Sequence, residues 1–410
     1  MGEYMNFFLT FGICTLFICF TVATFFLSRI PQGIFSDDYV FKLDPFWYIW
    51  SVMLFGAIGV YIFFPEQSDM IKNYGVFDIL LPFIFSAIIY FTYILGIKGI
   101  TSIVILLLSI CMCFMQPETF CVIEGIPYWA DRLIVALIMF IISRGLGLLN
   151  GLGAISSIQF ISVMIVSIVL AHLGAAPQLL AMIAVAYLGT MLAFTFFSYP
   201  PEKLILTIGG FSAIGFIMAC FMLDMAVEYS EISMMIAVAY LLTEVGIALY
   251  NRFILNERYE QSFLYTSYYK ISNDGEHENH VVYGVFKILI INTVFALMQV
   301  AASERIALFI FSIAINIWML SVISGESKLN DVFSITKWGF RGVKKVISKK
   351  NKKSTPLDNT EEFQYVEEEN NDIDVKPAKK TKSKKIPQSG AKSKVVKNTT
   401  KTSKAKKKTS

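Results

Sequence analysis

Residues 1–325 form a succession of apolar stretches, each long enough to cross a bilayer, and roughly two-thirds of the Lys and Arg lie beyond them. A span of about 20 predominantly apolar residues covers the ~30 Å hydrocarbon core, and a soluble core has no use for so many such runs. Only helices or closed barrels satisfy their backbone polar groups in lipid, and runs of this length fit helices. The sequence therefore predicts an all-α, polytopic integral membrane protein with about eleven transmembrane helices. The expected spans are 5–27, 45–64, 76–95, 100–114, 133–149, 155–173, 179–197, 204–222, 233–250, 281–300 and 306–323.

Average composition hides a sharp division. The net charge of +4 combines an ion-poor body, an acidic patch (Glu361, Glu362, Glu367, Glu368, Glu369) and a lysine run from Lys376 to Lys408. Most cysteines (Cys14, Cys19, Cys111, Cys113, Cys220) sit inside apolar runs without the spacing of a disulfide framework, so they read as small core residues. The run 5–27 is too long for a signal-peptide core and has no basic leader, so it reads as a retained anchor.

Loop charge sets the orientation. Eleven crossings put the two ends on opposite sides. A cytoplasmic tail then places Arg29, Lys42, Lys98, Lys203, Arg252, Arg258 and Lys270 inside, and Lys72, Arg132 and Arg305 outside, as the positive-inside bias requires. The chain divides into a helical domain at 1–325, a short amphipathic segment at 326–348 and a charged tail at 349–410. In the second, Val332, Phe333, Trp338 and Phe340 alternate with Lys337, Arg341, Lys344 and Lys345, a pattern suited to the inner membrane surface. The tail is too poor in apolar residues to offset chain entropy and is expected to be disordered. Its lysines favour anionic lipid or nucleic acid at about 1 kcal/mol each near a charged surface, although a purely solubilising role explains them as well. The longest internal loop, 251–280, is where chemistry on the soluble side would be expected.

Three stretches, in order and on the expected cytoplasmic side, carry a family pattern. Residues 187–219, YLGTMLAFTFFSYPPEKLILTIGGFSAIGFIMA, align without gaps to a block of apolar helix, N-x-x-P-A-K, F-M-G-D-x-G-S and a second helix, with Pro201, Lys203, Gly210 and Gly215 on its Pro, Lys and Gly. Residues 125–155 are similar to a helix ending N-x-x-N-x-x-D-G-L-x-G-L and keep Gly151 and Leu152. Glu244 stands at an intramembrane Asp, Arg252 at an Arg eight residues on, and Thr266 to Lys270 at H-x-H-H-R. In these respects the chain resembles the polyprenyl-phosphate N-acetylhexosamine-1-phosphate transferases, polytopic bacterial enzymes that move a sugar phosphate from a UDP-sugar to an isoprenoid carrier. The resemblance covers most of 1–325 and excludes the tail. It implies an inner (cytoplasmic) membrane location with the N-terminus outside, a lipid partner such as polyprenyl phosphate, and Mg²⁺ as cofactor if the chain is active; a homodimer is compatible with it. By equivalence it implies substrate-binding roles for Arg144, Asn150, Lys203, Glu244, Arg252 and Lys270.

The departures fall on the chemistry. Bringing a lipid phosphate to a nucleotide diphosphate joins two anions, which calls for positioning and a divalent metal held by hard oxygen ligands. The family's paired Asp would fall near Leu95 and Gly96, the Asp of D-G-L is Asn150, the Asp and Ser of G-D-x-G-S are Ile208 and Phe211, and the His positions are Thr266, Tyr268 and Tyr269. The expectation is a degenerate member that keeps a lipid-facing groove and acts as a binding or scaffold protein. The alternatives are a divergent active transferase, or a transporter built on broken helices in matching halves.

Other residues have ordinary explanations beside their functional ones. Arg144 in an apolar helix costs about 2.5–3.5 kcal/mol at a span centre, so it contacts phosphate or snorkels inward. Glu244 binds a ligand or ion, or pairs within the helix packing. Asp131 and Arg132 read as an interfacial anchor, and Phe46, Trp47, Tyr48 and Trp50 as an aromatic belt. His172 reads as an interface residue, and His277 with His280 lacks the helical H-E-x-x-H context of a zinc site.

Overall fold

Each apolar stretch forms helix because a chain in lipid can pair its backbone only within itself. The structure, a computed structural model, describes residues 2–29, 45–63, 76–96, 98–116, 126–149, 154–174, 177–199, 204, 206–228, 231–250, 278–300 and 305–323. Among them are twelve helices and no strand: α1 (Gly2–Leu27), α2 (Pro45–Phe63), α3 (Val76–Ile94), α4 (Lys98–Met115), α5 (Tyr128–Leu148), α6 (Ala154–His172), α7 (Gln178–Ser198), α8 (Ile208–Glu228), α9 (Glu231–Ala237), α10 (Ala239–Leu249), α11 (Glu278–Met298) and α12 (Arg305–Ile323). Proline marks several starts, at Pro45, Pro127 and Pro177, where its missing N–H costs nothing. Asn150, Lys203, Arg252, Lys270 and His277, the segment 326–348 and the tail 349–410 lie outside the described residues.

Six helices, α1, α2, α6, α7, α8 and α11, are long and apolar enough to cross a membrane; α3, α4, α10 and α12 contain shorter apolar stretches. Helix α5 has the length but carries Asp131, Arg132 and Arg144. Burial separates centre from rim. In α6, α7 and α8, 83% of the apolar window is buried, against 28% in α1 and 33% in α2. Rim helices turn large apolar side chains outward, among them Phe17, Phe55, Phe63 and Ile310. Apolar side chains both inside and outside are what a lipid-solvated bundle shows and what a water-soluble one avoids.

Helix α7 is apolar on every side because it is enclosed by α1, α2 and α6. At its middle, the Tyr187 ring meets Phe83 of α3, Phe160 of α6 and Phe221 of α8 at centroid distances of 6.2, 6.4 and 6.0 Å. Close crossings depend on small residues. A Cβ on Gly215 of α8 would lie 2.9 Å from the Ser143 carbonyl oxygen of α5, and the Ser143 hydroxyl donates to the Ser212 carbonyl of α8 at 2.8 Å. Where α1 crosses α7, a Cβ on Gly189 would meet the Leu16 carbonyl oxygen at 2.7 Å.

Three expectations need correction. The stretch 233–250 is not one helix but two, α9 and α10, separated at Val238 (φ −101°, ψ 10°). Of the aromatic residues of α2 expected at the interface, Phe46 and Trp50 turn into the packing instead, while Trp47 and Tyr48 stay partly exposed. Phe46 is fully buried and stacks on Tyr90 of α3 at 4.0 Å, and Trp50 Nε1 donates to Ser86 Oγ at 3.0 Å, so the cluster joins α2 to α3. Asp131 and Arg132 are buried in the bundle, 1% and 0% exposed, and both lie close enough to Cys113 of α4 to act on it electrostatically.

Candidate functional site

The junction of α9 and α10 gathers several of the polar side chains that the apolar bundle encloses. Nothing in SMMIAVAYLL disfavours a helix, and the interruption is confined to Val238, whose N–H still donates to the Met234 carbonyl at 3.3 Å and whose carbonyl accepts from the Leu242 N–H at 3.0 Å. Gln159 of α6 donates its Nε2 to the Ala237 carbonyl at 3.0 Å, taking an acceptor that an unbroken helix would offer to the N–H four residues on. Helices α11 and α12 complete the surroundings. Ser233 of α9 donates to the Ala296 carbonyl of α11 at 3.1 Å and also meets Gln299. Ser312 of α12 donates to Asn292 Oδ1 of α11 at 2.7 Å. One turn on, Asn316 Nδ2 reaches Thr243 Oγ1 of α10 at 3.5 Å, and Thr243 donates to the Ala239 carbonyl beside the break at 2.7 Å.

These bonds use only half of each carboxamide. Gln159 Oε1, Asn292 Nδ2 and Asn316 Oδ1 are buried and make no hydrogen bond among the described residues. An amide group without its hydrogen bond costs about 1–3 kcal/mol when buried, so such atoms mark a strained or ligand-ready place. None of the three was a candidate in the sequence, although the signal was there: a carboxamide within an otherwise apolar span.

Of the candidates read from the sequence, Arg144 and Glu244 are described, and they lie on α5 and α10 beside the place where these helices cross, a Cβ on Gly145 standing 2.8 Å from Val245 Cγ2. Arg144 is half-buried near the end of α5, with the Tyr93 phenol of α3 as its electrostatic neighbour. The Tyr93 ring lies against Gly209, in the first turn of α8, so α3, α5 and α8 meet there. Glu244 is fully buried on α10 and accepts from the Tyr240 hydroxyl at 3.0 Å, one turn back on the same helix. Among the family-like positions, Gly215 has a packing explanation in the α5–α8 crossing, and Phe211, at a Ser of the pattern, is fully buried with its ring 5.8 Å from Phe194.

Two features lie toward the opposite ends of these helices. Asp131 and Arg132 both act electrostatically on the buried Cys113 of α4, and the Arg132 guanidinium sits 4.7 Å from the Tyr128 ring centroid. Nearby on the same chain ends, Gln116 Nε2 donates to Asp224 Oδ1 of α8 at 3.4 Å. Between α1, α6 and α7 runs an apolar groove of about 480 Å³, lined by Gly12, Ile13, Leu16 and Met182, with His172 and Gln178 at its polar edge.

Compared with known proteins, the chain matches no family model and no curated sequence. The likeness to the sugar-phosphate transferases therefore stands on the residues quoted for it, one of which, Gly215, the packing accounts for without a substrate.

Proposed function

We propose that the chain crosses the cytoplasmic membrane eleven times, with its N-terminus outside and its C-terminus inside, and binds a phosphate-bearing lipid at the inner end of the bundle without transferring sugar phosphate. The observation that supports this best is the position of Arg144. A guanidinium half-buried in an apolar bundle, beside the Tyr93 hydroxyl and near the first turn of α8, offers charge and hydrogen-bond donors to a phosphate. Loss of the chemistry is supported by Phe211, whose ring fills the core where the family pattern has a hydroxyl. The groove between α1, α6 and α7 suits an apolar lipid chain, and the lysine-rich tail suits the anionic inner surface.

Purified protein in nanodiscs, given polyprenyl phosphate, a UDP-N-acetylhexosamine and Mg²⁺, is expected to retain the lipid and release no UMP. Arg144→Ala should weaken lipid retention about tenfold, the equivalent of one charge-assisted hydrogen bond. Equal retention by the variant refutes the phosphate site. Metal-dependent UMP release that Glu244→Gln abolishes would establish a divergent active transferase instead.

A second reading, a carrier for a polar solute, is favoured by the α9–α10 break, since carriers bind their substrates where helices are interrupted inside the membrane. Saturable solute uptake into proteoliposomes tests it.

A further inference from the structure

Helix α7 is enclosed by its neighbours along most of its length, but not toward its Gln178 end. There it turns Gln178, Ala181, Met182, Val185 and Leu188, a stripe at helical spacing, into the groove of about 480 Å³ that it shares with α1 and α6. The groove has room because α1 and α7 diverge. At their crossing a Cβ on Gly189 would stand 2.7 Å from the Leu16 carbonyl oxygen, so the backbones touch; at Gly12 a Cβ would meet only the Met182 side chain, at 3.7 Å. The crossing closes the groove at one end. The other end opens beside His172 and Gln178, where α6 stops and α7 begins.

Depth selects the occupant. From Gln178 to Leu188 the α7 wall runs about 15 Å at the α-helical rise, half of the ~30 Å hydrocarbon core. A transmembrane helix of a second copy or of another protein needs the full thickness and a width of about 10 Å, and it could not follow the groove past the crossing at Gly189. A single acyl chain is as long as one leaflet is deep and enters at the level of its own headgroup. The outer wall agrees with a chain from the bilayer. Ile13, which lines the groove, is 52% exposed, and Phe17 one turn on is 65% exposed, so the groove is continuous with the lipid-facing rim of the bundle.

We propose that this groove is a binding site for one acyl chain of a glycerophospholipid from the leaflet on the His172 side, with the headgroup beside His172 and Gln178 and the chain end near Leu188. The site rests on the membrane residence of the bundle and goes beyond the phosphate site at Arg144. Arg144 stands near the end of α5 from which the chain passes into α6, and His172 ends α6 on the other side, so the two lipids belong to opposite leaflets.

The test reconstitutes the full-length protein in phosphatidylcholine vesicles with a trace of phosphatidylcholine that bears a diazirine at the methyl end of one chain. Photolabelled residues are read by mass spectrometry. Val185 and Leu188 are each 8% exposed and shielded from bulk lipid, whereas Phe55 of α2, 71% exposed, reports bulk lipid. Labelling is expected at Val185 or Leu188 as well as at Phe55. Gly12→Phe grows into the groove, since a Cβ there meets nothing nearer than Met182, and should lower the α7 labelling about tenfold relative to Phe55. Gly12→Leu is the smaller plug should the first variant not fold. Label at Phe55 with none at Val185 and Leu188, or α7 label that survives the plug, overturns the site; an unlabelled groove together with a change from dimer to monomer on Gly12→Phe assigns it to a second copy instead. Arg144→Ala should leave the α7 labelling unchanged while it weakens retention of polyprenyl phosphate, so either site can fail without the other. Loss of α7 labelling in Arg144→Ala overturns the separate lipid.

Discussion

Asp131 with Arg132 at the start of α5, and Gln159, Asn292 and Asn316 around the α9–α10 break, are all buried polar groups in an apolar bundle, yet they are built differently. In the first cluster opposite charges act on one thiol and the cation covers an aromatic ring, while Arg132 Nε and Nη1 make no hydrogen bond among the described residues. In the second the groups are neutral, and each keeps one amide atom without a hydrogen bond among the described residues, although Gln159 Nε2 serves both the Ala237 carbonyl and Ser162 Oγ. Removing one member of a buried charged cluster strands a charge, whereas removing a half-satisfied neutral group strands none, so the two clusters differ in how costly they are to disturb.

The largest predicted effect breaks the charged cluster. Arg132→Leu leaves the buried Asp131 without the neighbouring cation and is expected to cost about 3–5 kcal/mol, enough to remove most folded protein from a detergent-solubilised preparation. Asp131→Asn combined with Arg132→Leu should recover part of that loss, because an isosteric neutral pair leaves no stranded charge. Thermal unfolding of the single and double variants measures the coupling. A double variant as unstable as the sum of the singles would show that the two charges do not compensate each other.

Next in size is Gly215→Val, which sharpens the contrast between packing and ligand roles. A Cβ there would stand 2.9 Å from the Ser143 carbonyl oxygen and 3.0 Å from Leu146 Cβ, so α5 and α8 must part, stretching the Ser143–Ser212 hydrogen bond. The expected cost is about 1–3 kcal/mol in thermal unfolding. Unchanged stability with lost retention of polyprenyl phosphate would give this glycine back to a ligand role.

Much of the helical frame was legible because its determinants are local. Apolar length marks the stretches, and prolines at 45, 127 and 177 mark starts that the structure keeps. What could not be read depends on neighbours. The interruption at Val238 lies where a glutamine from α6, far away in sequence, takes the Ala237 carbonyl, and no glycine or proline stands within α9 or in the first turn of α10 to announce it. Asp131 and Arg132 look like an interfacial anchor until Cys113 of α4 is brought close to them, and the Trp50 indole looks like a belt residue until Ser86 and the Phe83 carbonyl of α3 accept its N–H. The candidate site was legible only in part. Arg144 and Glu244 stand out in sequence as ions within apolar spans, but that Tyr93 of α3 neighbours the first, and that Gly145 and Val245 bring their two helices together, depends on which helices meet.

The smallest predicted effect carries the most information about the neutral cluster. Asn316→Leu removes one bond at 3.5 Å to Thr243, whose hydroxyl keeps its own acceptor at Ala239, and it also removes a buried acceptor that has no partner among the described residues. An interhelical side-chain hydrogen bond in a membrane bundle is worth about 0.6 kcal/mol on average, less than the 1–3 kcal/mol cost of an unsatisfied buried polar atom. The balance favours the substitution: the variant should unfold at the same temperature as the parent or slightly higher, with a change within about 1 kcal/mol in the stabilising direction. A carboxamide kept for stability would behave oppositely and lower the unfolding temperature, as Arg132→Leu does. Should Asn316→Leu destabilise the protein on that scale, the break would join the charged cluster as a structural element, and the contrast between the two would disappear.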